Sequence, residues 1–202
     1  MSPVRTPEET RMKILETALD LFHRGSFTGT SINQIVDKAG ITKGALFHYF
    51  KGKNELGYAV VEECLRRQIQ EHWISPLATS VDPINDMLAI LDKMSQMLVD
   101  EPHILECGCP LNNLSQEMSS LDDTFRLKLL ELYREWELAI EKSIRAGIDA
   151  GNVRSDVDPE SASSAIVALL EGSIGMIKAH QNMEYVSRVG QGITHFLLSL
   201  KP

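Results

Sequence analysis

Residues 30–53, TSINQIVDKAGITKGALFHYFKGK, leave the backbone few choices. Ile32, Ile35 and Val36 recur at helical spacing, so a short helix is predicted over residues 31–39. Thr30, or Ser31 beside it, can cap that helix through its side-chain oxygen. Gly40 supplies the left-handed backbone that ends it. Thr42 caps a second helix over residues 43–50, and Lys51-Gly52 stops that one in turn. Two helices of about two turns joined by a glycine turn make a helix-turn-helix, whose second helix enters the major groove of DNA. Leu46 and Phe50, four apart, share a face and point to a small core. A core does not account for Lys43, Gly44, Phe47 and His48 on the other faces. DNA does, because Gly44 permits close backbone approach and Lys43 and Lys53 can reach phosphates.

Charge supports that reading only once it is divided along the chain. The net charge of -8 over 202 residues argues against a nucleic-acid binder. The first sixty residues, however, hold eight Lys or Arg against six Asp or Glu, and the remaining 142 hold twelve against twenty-two. A mildly basic head on an acidic body suits a DNA reader joined to a domain that does not touch DNA. Apolar residues make up 43%, enough for a sizeable core. No run approaches eighteen apolar residues, so no membrane span is expected. The N-terminus lacks the apolar segment of a signal peptide, and three cysteines make no disulfide framework; the cytoplasm is the expected compartment.

The rest of the chain reads as helix throughout. A first helix is predicted over residues 7–24, with Thr6 and Glu9 as a capping box, Pro7 at the first turn and Gly25 as its end. Ile14, Leu15, Ala18, Leu21 and Phe22 share its apolar face, and Phe27 is expected to plug the core. Arg5, Arg11 and Lys13 either flank a DNA backbone or are ordinary solvated charges. A fourth helix is predicted from Lys53 to about Ile74, with Pro76 as its stop. It is too long for the head alone and links it to a second domain; its N-terminus also suits a phosphate. Further helices are expected over residues 83–100, over a short stretch after Pro110, over residues 121–150, over residues 159–180 with Asp158 as cap and Pro159 at the first turn, and over residues 184–200. The expected fold is all-α: a three-helix head over residues 1–52 and a helical bundle over residues 53–202, about nine helices in all.

The 30–53 stretch resembles the DNA-binding region of the TetR family of bacterial transcriptional regulators. The resemblance rests on Phe22, Gly25, Phe27, Thr30, Ile35, the run from Ala39 through Gly44, Leu46-Phe47, Tyr49-Phe50, Lys53 and Leu56. In that family the position of Phe47 is usually Tyr, which touches a phosphate through its hydroxyl; Phe47 retains only packing on the sugar edge. Tyr49 stands where His is common, and its hydroxyl can still donate to phosphate. The resemblance implies that Thr42, Lys43, Gly44 and His48 lie nearest base edges, while Ser31, Phe47, Tyr49 and Lys53 meet the backbone. It further implies a homodimer on a palindromic operator, a small-molecule effector held in the second domain, and repression relieved when the effector binds. The dimer would form through the last two helices, whose small residues Ala165, Ala168, Gly172 and Gly175 permit close approach, although the same residues suit a core within one chain.

Polar or aromatic residues among apolar ones are the effector-pocket candidates: His103, Asn112, Asn113, Gln116, Tyr133, Trp136, Glu171 and His180. Met87, Met94, Met97, Met118 and Met176 can supply an adaptable wall, which favours an apolar or aromatic ligand. Each of these also suits core packing or a solvated face. Cys107 and Cys109, with His103 four residues before the first, carry a sharper alternative: a thiol- or electrophile-responsive regulator, a soft-metal site, or small cysteines packing a helix junction. No phosphate loop, nucleophile elbow or metalloprotease motif occurs, so neither enzymatic activity nor a cofactor is expected.

Overall fold

The computed structural model describes residues 6–100 and 103–202, with the backbone alone at His103. Those residues form ten helices, counting the single turn His103–Cys107, and no strand. They are α1 (Pro7–Gly25), α2 (Ile32–Ala39), α3 (Lys43–Tyr49), α4 (residues 53–77), α5 (Pro83–Asp100), α6 (His103–Cys107), α7 (Pro110–Met118), α8 (Asp123–Asp149), α9 (Pro159–His180) and α10 (Met183–Leu198).

Capping residues set most of the boundaries. Thr6 and Glu9 form the capping box of α1, with Glu9 N–H donating to Thr6 Oγ1 at 3.2 Å and Thr6 N–H to Glu9 Oε2 at 2.8 Å. Ser31 and Gln34 form a second box on α2. Thr30 is not the cap: it is buried, and its hydroxyl donates back to the carbonyls of Leu21 and Ser26. At the end of α1, Gly25 remains helical and Ser26 takes the positive φ of 69°. The eighth helix begins at Asp123 and not at Leu121, because Asp122 Oδ1 accepts the N–H of Phe125 at 3.0 Å. Asp158 caps α9 through the N–H of Ser161, and Asn182 caps α10 through that of Glu184.

Pro76 does not stop α4. The chain is helical from Lys53 through Leu77, in α register over Lys53–Ala59, π over Val60–Leu65, α over Arg66–Ile69, π over Gln70–Ile74 and α over Ser75–Leu77. A proline inside a helix removes one backbone donor and crowds the carbonyl four residues earlier. The wider π turn immediately before Pro76 relieves that crowding, and the helix ends at Leu77.

The described residues pack as two compact units. One comprises residues up to Arg67 together with Pro110–Leu129; the other comprises Gln68–Cys109 and Leu130–Pro202. In the first unit, Ile14, Leu15, Ala18, Ile35, Leu46, Phe50, Leu56 and Leu111 are almost wholly buried. Phe27 plugs this core: its ring lies 5.0 Å from Phe22 and 4.8 Å from Phe125, and Tyr58 adds a further edge contact to Phe125 at 4.8 Å. Segment 110–129 is thus part of the same packed body as the helix-turn-helix.

In the second unit Ile84, Met87, Leu132, Ile140, Ile144 and Val153 form the core, and Trp73 meets Trp136 at 5.0 Å. By length and composition α9 alone among the described helices suits a bilayer, although no unbroken run of eighteen apolar residues occurs. Its buried face carries Ser163, Glu171 and Ser173 beside Ile166, Val167, Leu170 and Ile177, which is the pattern of a bundle helix.

Candidate nucleic-acid interface

The turn between α2 and α3 is built from backbone geometry. Gly40 adopts φ 64° and ψ 44°, and its N–H donates to the carbonyls of Val36 and Asp37. Ile41 N–H closes the turn on Val36 O at 3.1 Å. Thr42 then caps α3 by accepting the N–H of Ala45 at 3.1 Å. The recognition helix ends at Tyr49; Phe50 is already extended and buried, so it anchors the helix from beyond its last turn.

This arrangement divides α3 cleanly. Leu46 is fully buried beneath it. Thr42, Lys43, Gly44, Phe47 and His48 are exposed together, since residues four apart stack on one helix face. Phe47 keeps 48% of its surface in solvent, unusual for a phenylalanine on a seven-residue helix. The only heavy atom within 4 Å of a Cβ added at Gly44 is Thr42 Oγ1, at 3.8 Å, so that face is open. His48 stacks edge-on against half-buried Tyr49 at 5.1 Å. No acidic residue lies on α3, so Lys43 and the helix N-terminus face outward without a competing carboxylate on their own helix.

Other expected backbone-contacting residues are placed differently. Ser31 is exposed, but its hydroxyl is engaged with Gln34. Lys53 turns inward: its ammonium donates to the carbonyls of Phe27 at 2.9 Å and Thr30 at 2.8 Å, approaches that of Thr28, and lies 4.6 Å from the Phe27 ring. Burial lowers its pKa, with the charge of Glu117 acting in the opposite sense. A phosphate contact by Lys53 would therefore require it to leave the loop. Arg11 is likewise built into the fold, paired through both terminal nitrogens to Glu63 at 2.5 and 2.6 Å and lying over Phe50. Arg5 lies outside the described residues. The motif alone gave no sign that Lys53 and Arg11 would be used internally, because their partners lie 26 and 52 residues away.

The effector-pocket candidates do not gather into one described site. Asn112, Asn113 and Gln116 belong to the first unit; Tyr133, Trp136, Glu171 and His180 belong to the second. His180 is exposed and stacks on Tyr185 at 3.7 Å. Gln116 is also exposed, and the side chain of His103 lies outside the described residues. The methionines do not form one wall either: Met87 and Met118 are buried in different units, while Met97 and Met176 are 41% and 53% exposed. Two candidates are buried polar groups in the second unit. Trp136 is 3% exposed and its indole N–H meets no acceptor among the described residues. Glu171 is 7% exposed; burial pushes its carboxyl up to about 7, partly offset by the thiol of Cys109, which donates to Oε1 at 3.4 Å.

That last contact bears on the cysteines. The Cys109 thiol is engaged with the Glu171 carboxyl, Cys107 is buried, and no disulfide joins them. Cys64, which no motif marks, is buried with its thiol pushed up to about 11 by desolvation. The thiol-responsive alternative is therefore not favoured. Among the described residues no three His, Cys, Asp or Glu side chains converge as metal ligands.

An exposed, basic recognition helix set by a glycine turn on a buried three-helix core defines a helix-turn-helix DNA-binding protein. Comparison with known proteins narrows the class. Residues 14–60 match the profile described as bacterial regulatory proteins, tetR family, and residues 83–193, more than half of the chain, match the tetracyclin repressor-like C-terminal domain. The chain belongs to the TetR family of transcriptional regulators. The helix-turn-helix-type transcriptional repressor DhaR of Mycobacterium sp. (strain GP1) is 26% identical over 181 residues, covering 89% of this chain and 87% of that protein. A TetR transcriptional regulator from Chloroflexus aurantiacus has the same fold, with a TM-score of 0.84, 23% identity and 98% of each chain covered. The fold is shared too by SmeT in its complex with triclosan, with a TM-score of 0.76, 20% identity, and 95% of this chain and 90% of that one covered.

Proposed function

We propose that this chain is a homodimeric repressor that binds a palindromic operator and is released by a small apolar or aromatic effector. The observation that supports the reading is the exposure of Thr42, Lys43, Gly44, Phe47 and His48 on α3 beside half-buried Tyr49; in this reading Thr42, Lys43, Gly44 and His48 meet base edges, and Phe47 and Tyr49 meet the sugar-phosphate backbone. Ser31, exposed at the start of α2, is assigned to the same backbone contact. The functional head is residues 1–52, and residues 53–202 serve effector binding and dimerisation. A regulator of this kind works in the cytoplasm, on DNA, and carries out no turnover.

Dimerisation is supported by the outward face of α9. Ala165, Ala168, Leu169, Gly172 and Met176 recur at helical spacing and are exposed, and nothing lies within 4 Å of a Cβ added at Gly172. On α10, Leu198 is 44% exposed and Gly192 is equally open. A second copy of this surface would bury both and place two recognition helices on one duplex. For the effector, the buried Trp136 N–H, with Trp73 beside it, supports a ligand with an aromatic ring and a hydrogen-bond acceptor. That SmeT takes triclosan on the same fold agrees with an aromatic class.

Selection of the purified protein against random duplex DNA at physiological salt tests the reading. The expected product is an enriched palindrome with two equivalent half-sites; enrichment of no sequence overturns it. Small aromatic molecules screened for quenching of the Trp73–Trp136 emission should include some that also dissociate the selected duplex.

A further inference from the structure

A helix far outside the helix-turn-helix grips the loop that leads into it. Glu117 lies near the end of α7, 89 residues in sequence beyond Thr28. Its Oε2 accepts the N–H of Phe27 at 2.8 Å; its Oε1 accepts the N–H of Thr28 at 2.7 Å and the Thr28 hydroxyl at 2.5 Å. The side chain of Ser26 also bonds to it. Burial opposes the charge of Glu117, but these hydrogen bonds together hold its carboxyl below the ordinary range. On the carbonyl side of the same loop, the Lys53 ammonium accepts no bond and donates to Phe27 O and Thr30 O. The amides of Phe27 and Thr28 thus face a carboxylate, the carbonyls of Phe27 and Thr30 face an ammonium, and the two charges sense each other.

The loop is where the entry of α2 is decided. Ser26 holds its positive φ, Thr30 is tied to the end of α1, and Ser31, the next residue, caps α2. Apolar packing of α7 nearby is incomplete: a gap of about 10 Å³, the size of one water, remains among Phe22, Val60, Leu65, Leu114 and Glu117, beside the π turns of α4. Leu111, Leu114 and Met118 bury the apolar face of α7, and the Glu117 carboxylate adds directional contacts to the loop that packing alone does not supply. Segment Pro110–Leu129 also enters this unit from residues that belong to the other, at both of its ends.

We propose that Glu117 is a positioning residue for operator recognition, fixing residues 26–30 against Lys53 from a segment that the chain enters and leaves through residues of the other compact unit. The proposal rests on the reading of the chain as an operator-binding dimer. Loss of the clamp frees the loop, lets α2 and α3 reorient, and weakens the fit to bases without removing any group that meets a phosphate.

The test uses full-length protein and the duplex selected above. Glu117→Ala should speed amide hydrogen exchange at Phe27 and Thr28 and weaken operator binding by about tenfold, while affinity for random duplex and its salt dependence stay at wild-type values. Glu117→Gln, which keeps an acceptor oxygen of the same shape, should fall between the two and serves if the alanine variant does not fold. A merely structural role would lower specific and random binding together, in step with the folded fraction, and that result overturns the proposal. So does operator affinity within about twofold of wild type in a folded variant. A wild-type protein that selects no operator overturns the underlying reading, and the positioning role with it.

Discussion

Phe47 exposes 48% of its surface on a helix whose neighbouring Leu46 is fully buried, so its size does not serve the core. If it packs on the DNA sugar edge, a hydroxyl added at its ring should reach the adjacent phosphate. Phe47→Tyr is expected to tighten operator binding by about five- to tenfold with no change in thermal stability, the gain of one hydrogen bond to a charged acceptor. Unchanged or weaker binding would remove Phe47 from the backbone contact. Glu171 carries a different signature. Its carboxyl rises from an ordinary 4.5 to about 7 because burial disfavours the charge. The folded protein then holds a proton that the unfolded chain releases, so stability present below about 4.5 is lost as pH rises toward and through 7. For this one group the loss is on the order of 3 kcal/mol. The lowered carboxyls Asp20, Glu117, Asp122 and Asp158 act in the opposite sense and below 4.5, outside that window. Denaturant unfolding of Glu171→Gln should accordingly be flatter than wild type between pH 5 and 8, and equal slopes would mean the carboxyl is solvated.

At the scale of elements, α4 approaches its neighbours most closely at Gly57. A Cβ placed there would lie 2.5 Å from Phe125 Cζ and 2.6 Å from Phe27 Cε2, both in the aromatic core of the head. Gly57→Ala should therefore destabilise the protein by about 1 to 3 kcal/mol despite the better helix propensity of alanine. An unchanged melting temperature would mean that the rings can withdraw at no cost. Helix α4 also illustrates why a local rule can fail. Pro76 reads as a stop because proline lacks a donor, yet the π turn over Gln70–Ile74 accommodates it and the helix continues to Leu77. The caps, by contrast, depend on neighbours three residues away, and Thr6, Thr42 and Asp158 act as their spacing predicts.

For the whole molecule, the exposed apolar line Ala165, Ala168, Leu169, Gly172 and Met176 is the surface that calls for a partner. Introducing charge there, as Leu169→Glu with Met176→Glu, should yield a folded monomer in sedimentation and cost at least about a hundredfold in operator affinity, since two linked half-site contacts become one. A double variant that remains a dimer would place the interface elsewhere. The same logic predicts that the enriched operator repeats its half-sites with two-fold symmetry.

How much of this was legible beforehand follows from the range of the interactions concerned. The order of helices, the glycine turn at Gly40, the cap at Thr42 and the exposed set Lys43, Gly44, Phe47 and His48 are all settled by residues within about one helical turn, and sequence spacing carries that information directly. The likeness of residues 30–53 to TetR-type regulators rests on the same short-range pattern. What the tertiary structure decided depends on partners distant in sequence. Lys53, which reads as a phosphate ligand, is turned onto the loop at Phe27; Arg11 is taken by Glu63; Glu117, which no motif marks, holds the amides of Phe27 and Thr28. A free long side chain and one committed to a distant backbone group look alike in a sequence. Only packing brings residues 27, 53 and 117 together and thereby determines which charges remain available for DNA.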